Sequence, residues 1–314
     1  MSTTRAPSEE SRERALTVRV GRRGVEVARP GKVLFPDDGL TKADLADYYR
    51  RIARRMVPQL RGRPLMLERH PDGIDDSGFM QKDLPDHFPD WLAHAELPKA
   101  DGTVAYVLCE DAASLVYLAG QACVTPHRWL SRADRPDHPD RLVFDLDPPG
   151  DDFAAVRRAA HRLRALLDEL ELPSLLMTTG SRGLHVVVPL QRRDTFDEVR
   201  EFARELAELL VARHPDELTT AARRKDRGER LYLDVQRNGY GQTAVAPYAV
   251  RARPGAPVAA PLDWAELDDP GLTARRWTLR DADELLDRTA WRDPPRGHSA
   301  TAARRRLAAL DGGG

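Results

Sequence analysis

The residues most able to do chemistry are Asp145 and Asp147 in LVFDLDPP. Side chains alternate along a strand, so a strand here turns both carboxylates to one face while Phe144 and Leu146 point into a core. Two like charges this close raise each other's energy unless a cation neutralises them. Pro148 and Pro149 then end the strand and set the pair at its rim, where a site can open. Hard carboxylate oxygens suit Mg²⁺ or Mn²⁺. The alternative at this point is a solvated strand end with two ordinary aspartates. A third carboxylate, Asp234, lies in RLYLDVQ, again after alternating apolar residues. In-line phosphoryl displacement uses two metal ions about 3.5–4 Å apart, held by several carboxylates. In that reading Asp145 and Asp147 bridge both ions, and Asp234 completes the ion on the side of an attacking hydroxyl.

TTGSRGLHVVV supplies a matching grip for phosphate. Gly180 and Gly183 let the backbone turn so that its N–H groups can face an anion, and Thr179, Ser181, Arg182 and His185 add donors. The segment is neither a Walker motif nor a dinucleotide fingerprint, and a plain glycine hairpin with a polar tip fits it equally well. His185, in a buried-looking strand, reads by itself as structural. After Asp234, Arg237, Arg251 and Arg253 are spaced around a glycine turn and a short apolar strand, and arginine is the preferred partner of planar phosphate contacts.

The elements that must position these groups alternate. LTVRV and GVEVA, split by GRRG, read as a hairpin. Thr41 and Asp44 form a capping pair for a helix in which Leu45, Tyr48, Tyr49, Ile52 and Met56 recur at helical spacing, with Pro58 and RGRP expected to stop it. PLMLER and TVAYVLC read as strands, and DAASLVYLAGQAC as a helix. RLVFDLD is then a strand, 151–171 a helix, SLLMTTG and LHVVVPL two strands, 196–211 a helix and RLYLDVQ a strand. This order is the split βαβ arrangement of many polymerase and RNA-recognition palms. The expected fold class is α+β: a catalytic core with an RRM-like palm, built on mixed or antiparallel sheets flanked by helices. A single catalytic domain over 15–298 is expected, with a flexible N-terminus (1–14) and a flexible tail (299–314).

Composition narrows the class. The 314 residues are enough to bury a sizeable core. No run of 18 apolar residues and no apolar leader segment occurs, so neither a membrane span nor a secretory signal is expected. Cys109 and Cys123 are too few for a disulfide framework and read as reduced thiols of a cytoplasmic protein. The net charge of −1 hides segregation. Between Lys42 and Arg63 seven basic residues face two aspartates, between Arg223 and Arg230 five face two acids, and Asp140 to Asp152 carries five aspartates against Arg141. Basic surface beside an acidic centre suits an enzyme that grips phosphates and holds metals, although any one cluster reads equally as a solvated face.

Taken together, LVFDLDPP, TTGSRGLH and LYLDVQRNGYGQTAVAPYAVRAR resemble the polymerase domain of bacterial ligase D, a member of the archaeo-eukaryotic primase superfamily that acts in non-homologous end joining. The resemblance runs from about Val18 to Asp293. It implies that Asp145, Asp147 and Asp234 are the catalytic metal aspartates. It also implies that His127 (in His127-Arg128-Trp129), Thr179, Ser181, Arg182, His185, Arg237 and Arg251 bind the nucleotide. The family's Ser-Gly-x-Lys-Gly-x-His segment carries threonine and arginine here, which keep a hydroxyl and a cation. GKVLFPDDGLTKADLADYY is similar to the family segment that receives a downstream 5′-phosphate, with Lys32 and Lys42 as the basic positions. A helix N-terminus at Lys42 would itself favour that anion. GFMQKDLPDHFPDWL is similar to the family's surface loop that stacks on template DNA. Phe79 matches its aromatic, while the next position, often aromatic, is Met80.

What the resemblance implies is a primase-polymerase that adds nucleotides, with ribonucleotides preferred, to DNA 3′ ends at gaps and double-strand breaks. It would use two Mn²⁺ or Mg²⁺ ions. Its expected partners are gapped or broken DNA, nucleoside triphosphates, Ku and a separate ATP-dependent DNA ligase, since no adenylating-ligase lysine motif is found. The expected setting is the bacterial cytoplasm at the nucleoid. A primase that starts chains on bare template and a non-catalytic DNA end-binding module are the alternatives. FDLDPP is superficially similar to the Asp-x-Asp of haloacid-dehalogenase-like phosphatases, but that motif stands near the start of its core and lacks the two prolines.

Overall fold

The computed structural model describes residues 15–99 and 102–311; the N-terminal segment expected to be flexible lies outside them. An N-terminal hairpin pairs β1 (Leu16–Val20) with β2 (Arg23–Val27), and a short one pairs β3 (Val33–Phe35) with β4 (Leu40–Thr41). Helix α1 (Lys42–Leu60) follows, opened by the capping box of Thr41 and Asp44. Pro58 falls inside its last turn instead of stopping it, and the chain turns away at Arg61 and Gly62, where Gly62 has φ +70°. The apolar face buries Leu45, Tyr48, Tyr49, Ile52 and Met56, which is the expected stripe. Next come β5 (Leu65–Arg69), β6 (Phe79–Gln81), the hairpin β7 (His94–Lys99) and β8 (Gly102–Val107), α2 (Ala112–Gly120) and β9 (Cys123–Trp129).

The second half begins with β10 (Arg141–Asp147), α3 (Phe153–Glu169), β11 (Leu175–Thr178), β12 (Leu184–Pro189) and α4 (Phe196–Arg213). It continues with β13 (Leu218–Thr219), β14 (Leu231–Asp234), β15 (Thr243–Val245), β16 (Pro261–Leu262), α5 (Ala282–Asp287) and α6 (Ala300–Asp311). Six strands lie in the order β13-β14-β10-β12-β11-β16, and four in the order β15-β9-β5-β6. Within the larger sheet β14, β10, β12 and β11 are mutually antiparallel neighbours. That is the order expected when two βαβ halves interleave, and the parallel β13–β14 pair makes the sheet mixed. One core runs through both sheets, from Val25 and Leu45 to Leu206 and Leu285.

Three expectations change. The segment from Ala300 is a helix, not a free tail. Asp194 accepts hydrogen bonds from the Ala300 amide and the Thr301 hydroxyl at its start, Ala303 and Leu307 are buried, and Arg304 pairs with Glu205 of α4. Basic residues between Lys42 and Arg63 do not make one basic surface. Arg63 is buried against Asp140, Lys42 is buried, and Arg55 donates to the carbonyls of Leu286 and Arg288. Phe79 stands on β6, at the edge of the smaller sheet, and not in a loop. No helix among the described residues is long and apolar enough to cross a membrane. Cys109 and Cys123 are both free and buried, and burial pushes both thiols up.

Candidate active site

Strand β10 sends Phe144 and Leu146 into the core, each fully buried, and leaves Asp145 and Asp147 partly exposed on the other face. Pairing register then assembles the site. Asp145 stands opposite His185 of β12 on one side and opposite Asp234 of β14 on the other, so the three side chains form one row across three strands. Asp147 pairs with Tyr232 beyond that row. Asn238, fully buried, carries the pairing on where β14 stops: it accepts from the Val143 amide and donates to the Val143 carbonyl, both at 2.8 Å.

The hairpin between β11 and β12 closes against this row because it is glycine-rich. A Cβ on Gly183 would lie 1.9 Å from the Leu146 carbonyl oxygen, and Gly180 has φ +64°. The loop amides are used differently from the expectation of a free anion cradle. Ser181 and Gly183 turn their N–H groups to the Thr179 hydroxyl at 3.3 Å, and that hydroxyl donates to the Gly183 carbonyl at 3.0 Å. Thr179 therefore shapes the loop, and Ser181 and Arg182 occupy its tip.

Basic side chains surround the carboxylates. His185 Nε2 lies 3.5 Å and Arg237 Nε 3.7 Å from Asp145, and Arg182 lies 3.2 Å and Arg227 3.6 Å from Asp147. Burial works to raise the Asp145 carboxyl, but His185, Arg237 and Arg251 together hold it below its ordinary value. Arg251 donates to the Thr179 carbonyl at 2.7 Å, while its buried Nε has no partner. Gln236 donates its amide to Asp234 at 2.8 Å. From the facing sheet, β9 brings His127, whose Nε2 lies 3.2 Å from Glu68 of β5.

A cavity of about 200 Å³ gathers these groups. Asp145, Asp147, Asp234, His127, Thr179, Ser181, Arg182, His185, Arg237 and Arg251 all line it. Lys32, Lys42 and Phe79 do not. The two lysines are nevertheless brought together, since the Lys42 amide donates to the Lys32 carbonyl at 2.9 Å. Lys42 Nζ reaches the Ala28 carbonyl at 3.0 Å, and Lys32 pairs with Asp72 at 3.3 Å. Asp38, in the turn between β3 and β4, accepts from the Gly255 amide and so ties this corner to the chain just beyond Arg251. Phe79 and Met80 are each 47% exposed.

The donor set suits a hard divalent cation: three carboxylates on two adjacent strands, with Asp145 and Asp234 face to face. Like charges in register require a counter-charge, and here arginines supply part of it. Among the described residues no three acidic, histidine or cysteine side chains are grouped closely enough to hold a metal ion as they stand, so the carboxylates would have to draw together around one. Sequence reasoning missed three residues at this site. Glu68 and Asn238 carry no local motif. Arg227, which reaches Asp147 and lies 3.7 Å over the Tyr232 ring, was visible only as one cation of a basic run.

Comparison with known proteins gives the class. Residues 41–294 match the family model described as LigD, primase-polymerase domain. The chain is 35% identical over 267 residues to the multifunctional non-homologous end joining protein LigD of Mycolicibacterium smegmatis, covering 84% of this chain and 34% of that protein. It is 32% identical over 259 residues to the bifunctional non-homologous end joining protein LigD of Bacillus subtilis, covering 82% of this chain and 41% of that one. Among solved structures, the polymerase domain of Mycobacterium tuberculosis ligase D, in complex with DNA, superimposes with a TM-score of 0.80 at 32% identity. That match covers 86% of this chain and 99% of the other. The protein is thus a nucleotidyltransferase of the primase-polymerase class. Within that class, the chain belongs to the LigD primase-polymerase domain family. It spans about a third of the length of the mycobacterial relative.

Proposed function

We propose that this protein adds nucleotides to DNA 3′ ends at gaps and double-strand breaks, as the polymerase step of non-homologous end joining. The observation that carries this reading is the row of Asp145, His185 and Asp234 across three strands, sharing one cavity with Asp147 and the arginines of the glycine hairpin region. Asp145, Asp147 and Asp234 would hold two divalent ions, Mn²⁺ or Mg²⁺. The chemistry such ions supply when bound is activation of the 3′-hydroxyl and neutralisation of charge on the leaving pyrophosphate. Arg182, Arg237 and Arg251, with the Ser181 hydroxyl, would grip the triphosphate, and His127 and His185 would complete the nucleotide pocket. As the 3′-hydroxyl oxygen bonds to the α-phosphorus, the bond to the pyrophosphate oxygen breaks. Ribonucleotides are the preferred substrates in this reading, and Ku and a separate ligase are the partners.

One assay tests it: extension of a primed, gapped duplex against synthesis on bare template, with both sugars and both metals. Addition to the primed end with little synthesis on bare template is expected. Equal synthesis on bare template would make it a primase, and no addition with either metal would leave only a DNA-binding module.

In this reading Lys32 and Lys42 receive the 5′-phosphate across the gap, Lys32 leaving Asp72 and the buried Lys42 ammonium leaving the Ala28 carbonyl to do so, since the first amides of α1 are already hydrogen-bonded. A charge-assisted phosphate contact contributes about 1.5–3 kcal/mol, or roughly ten- to a hundredfold in affinity. Titrations at moderate salt should therefore find weaker binding to a gap lacking that phosphate, and Lys42→Ala should erase the difference. Equal wild-type affinity for both gaps would remove this role.

A further inference from the structure

Glu68 is an acidic residue inside a strand, yet it pairs with no lysine or arginine among the described residues. Its two oxygens are divided between two histidines: Oε2 lies 3.2 Å from His127 Nε2 and Oε1 lies 3.4 Å from His70 Nε2. The register explains the first contact. On β5, Met66 is opposite His127 of β9 and Glu68 is opposite Thr125, so Glu68 and His127 are diagonal neighbours on one face. The second contact is enforced from outside. His70 is buried, and Gly78 packs so closely on its ring that a Cβ there would lie 2.4–2.7 Å from three ring atoms. Glu68 is thereby clamped from behind while it meets His127 in front.

We propose that Glu68 is a positioning residue, which fixes His127 as the Nε2–H tautomer so that His127 offers the cavity an Nδ1 acceptor for a sugar hydroxyl of the incoming nucleotide. An ionised carboxylate only accepts hydrogen bonds, so both histidines must donate their Nε2–H to it. Burial raises the Glu68 carboxyl, but its bonds to His127 and His70 outweigh that and hold it well below the usual carboxylate range. For His127, burial is the largest influence and lowers its affinity for a second proton, with Arg251 and Arg237 acting in the same direction and Glu68 opposing them. The ring is then neutral, and its Nδ1 makes no hydrogen bond within the described protein. A neutral ring nitrogen with a lone pair accepts from a hydroxyl, whereas the ionised oxygens of a triphosphate are themselves acceptors. Arg182 and Arg251 serve the phosphates, which leaves the sugar to His127.

The inference rests on the nucleotide pocket proposed above, and two measurements separate the two. The first needs no catalysis: two-bond ¹⁵N–¹H correlation spectra of the wild-type protein should show His127 protonated on Nε2 and bare on Nδ1, with and without a ribonucleoside triphosphate. Nδ1 bearing the proton, or both nitrogens protonated once nucleotide is bound, overturns the assignment. The second compares ribo-, 2′-deoxy- and 2′,3′-dideoxynucleoside triphosphates for binding to wild type and Glu68→Gln. Removing the contacted hydroxyl should weaken wild-type binding about tenfold, the effect of one modest hydrogen bond. In Glu68→Gln the same removal should change binding less than about twofold, while the affinity for inorganic triphosphate stays as in wild type. Equal discrimination in both proteins overturns the proposal even if nucleotide addition is normal. If wild type binds nucleotide but adds none, the polymerase reading fails and the Glu68 result stands.

Discussion

Strand β10 ends in a carboxylate–arginine cluster at each side, and the two clusters are built in opposite ways. At its start, Asp140 is 7% exposed, with Arg63 2.7 Å and Arg132 3.3 Å away and Arg141 at 4.0 Å. Arg63 is itself 1% exposed, and burial pulls its guanidinium down to about 10 against the opposing pull of Asp140. At its far end, Asp145 and Asp147 face His185 and three arginines at 3.2–3.7 Å across an open cavity. The first cluster centres on the buried Arg63–Asp140 pair, whose charges are committed to each other. The second lines an open cavity, and an incoming cation or phosphate can replace either side of each pair. In the sequence alone these three aspartates look alike, since Asp140, Asp145 and Asp147 lie in one acidic stretch. Burial tells a strut from a site.

Exchanging the damage between the two ends would break this contrast or sharpen it. Asp145→Asn should cut nucleotide addition by about 10²–10³-fold or more, the scale of losing a group that stabilises developing charge, with an unchanged denaturation midpoint. Asp140→Asn should do the reverse. It leaves Arg63 buried without its counter-charge, at a cost of about 3–5 kcal/mol, while the folded fraction adds nucleotides at the wild-type rate. Urea titration and primer extension on both variants decide the matter, and a stable but inactive Asp140→Asn would erase the distinction. A smaller effect is expected midway. Asn238→Ala strips partners from the buried Val143 amide and carbonyl and should cost about 1–3 kcal/mol. Faster hydrogen exchange at Val143 without loss of stability would show that water replaces the side chain.

Much of the site was legible because its parts are local. Alternation along a strand put Asp145 and Asp147 on one face, and the close approach of Gly183 to Leu146 gives a physical reason for the glycines of TTGSRG. Caps at Thr41 and Thr195 fixed where two helices begin, though only the first was read from its residues. The C-terminal helix is not legible in the segment ending AALDGGG, because the burial of Ala303 and Leu307 depends on a partner helix. Phe79 reads as a loop residue from the sequence, because the three-residue strand around it exists only through pairing with β5.

By itself the sequence determined the order of elements, the face on which the β10 carboxylates emerge and the turn that approaches them, since each depends on neighbours within a few residues. Tertiary structure decided which acids are neighbours. Asp145, His185 and Asp234 lie far apart along the chain and become one row only through the register of β12 and β14 against β10. It likewise gave Asp140 to Arg63, Glu68 to His127 and Asn238 to Val143. None of these pairings is encoded by spacing, because each is set by which strands lie side by side and by how the two sheets pack.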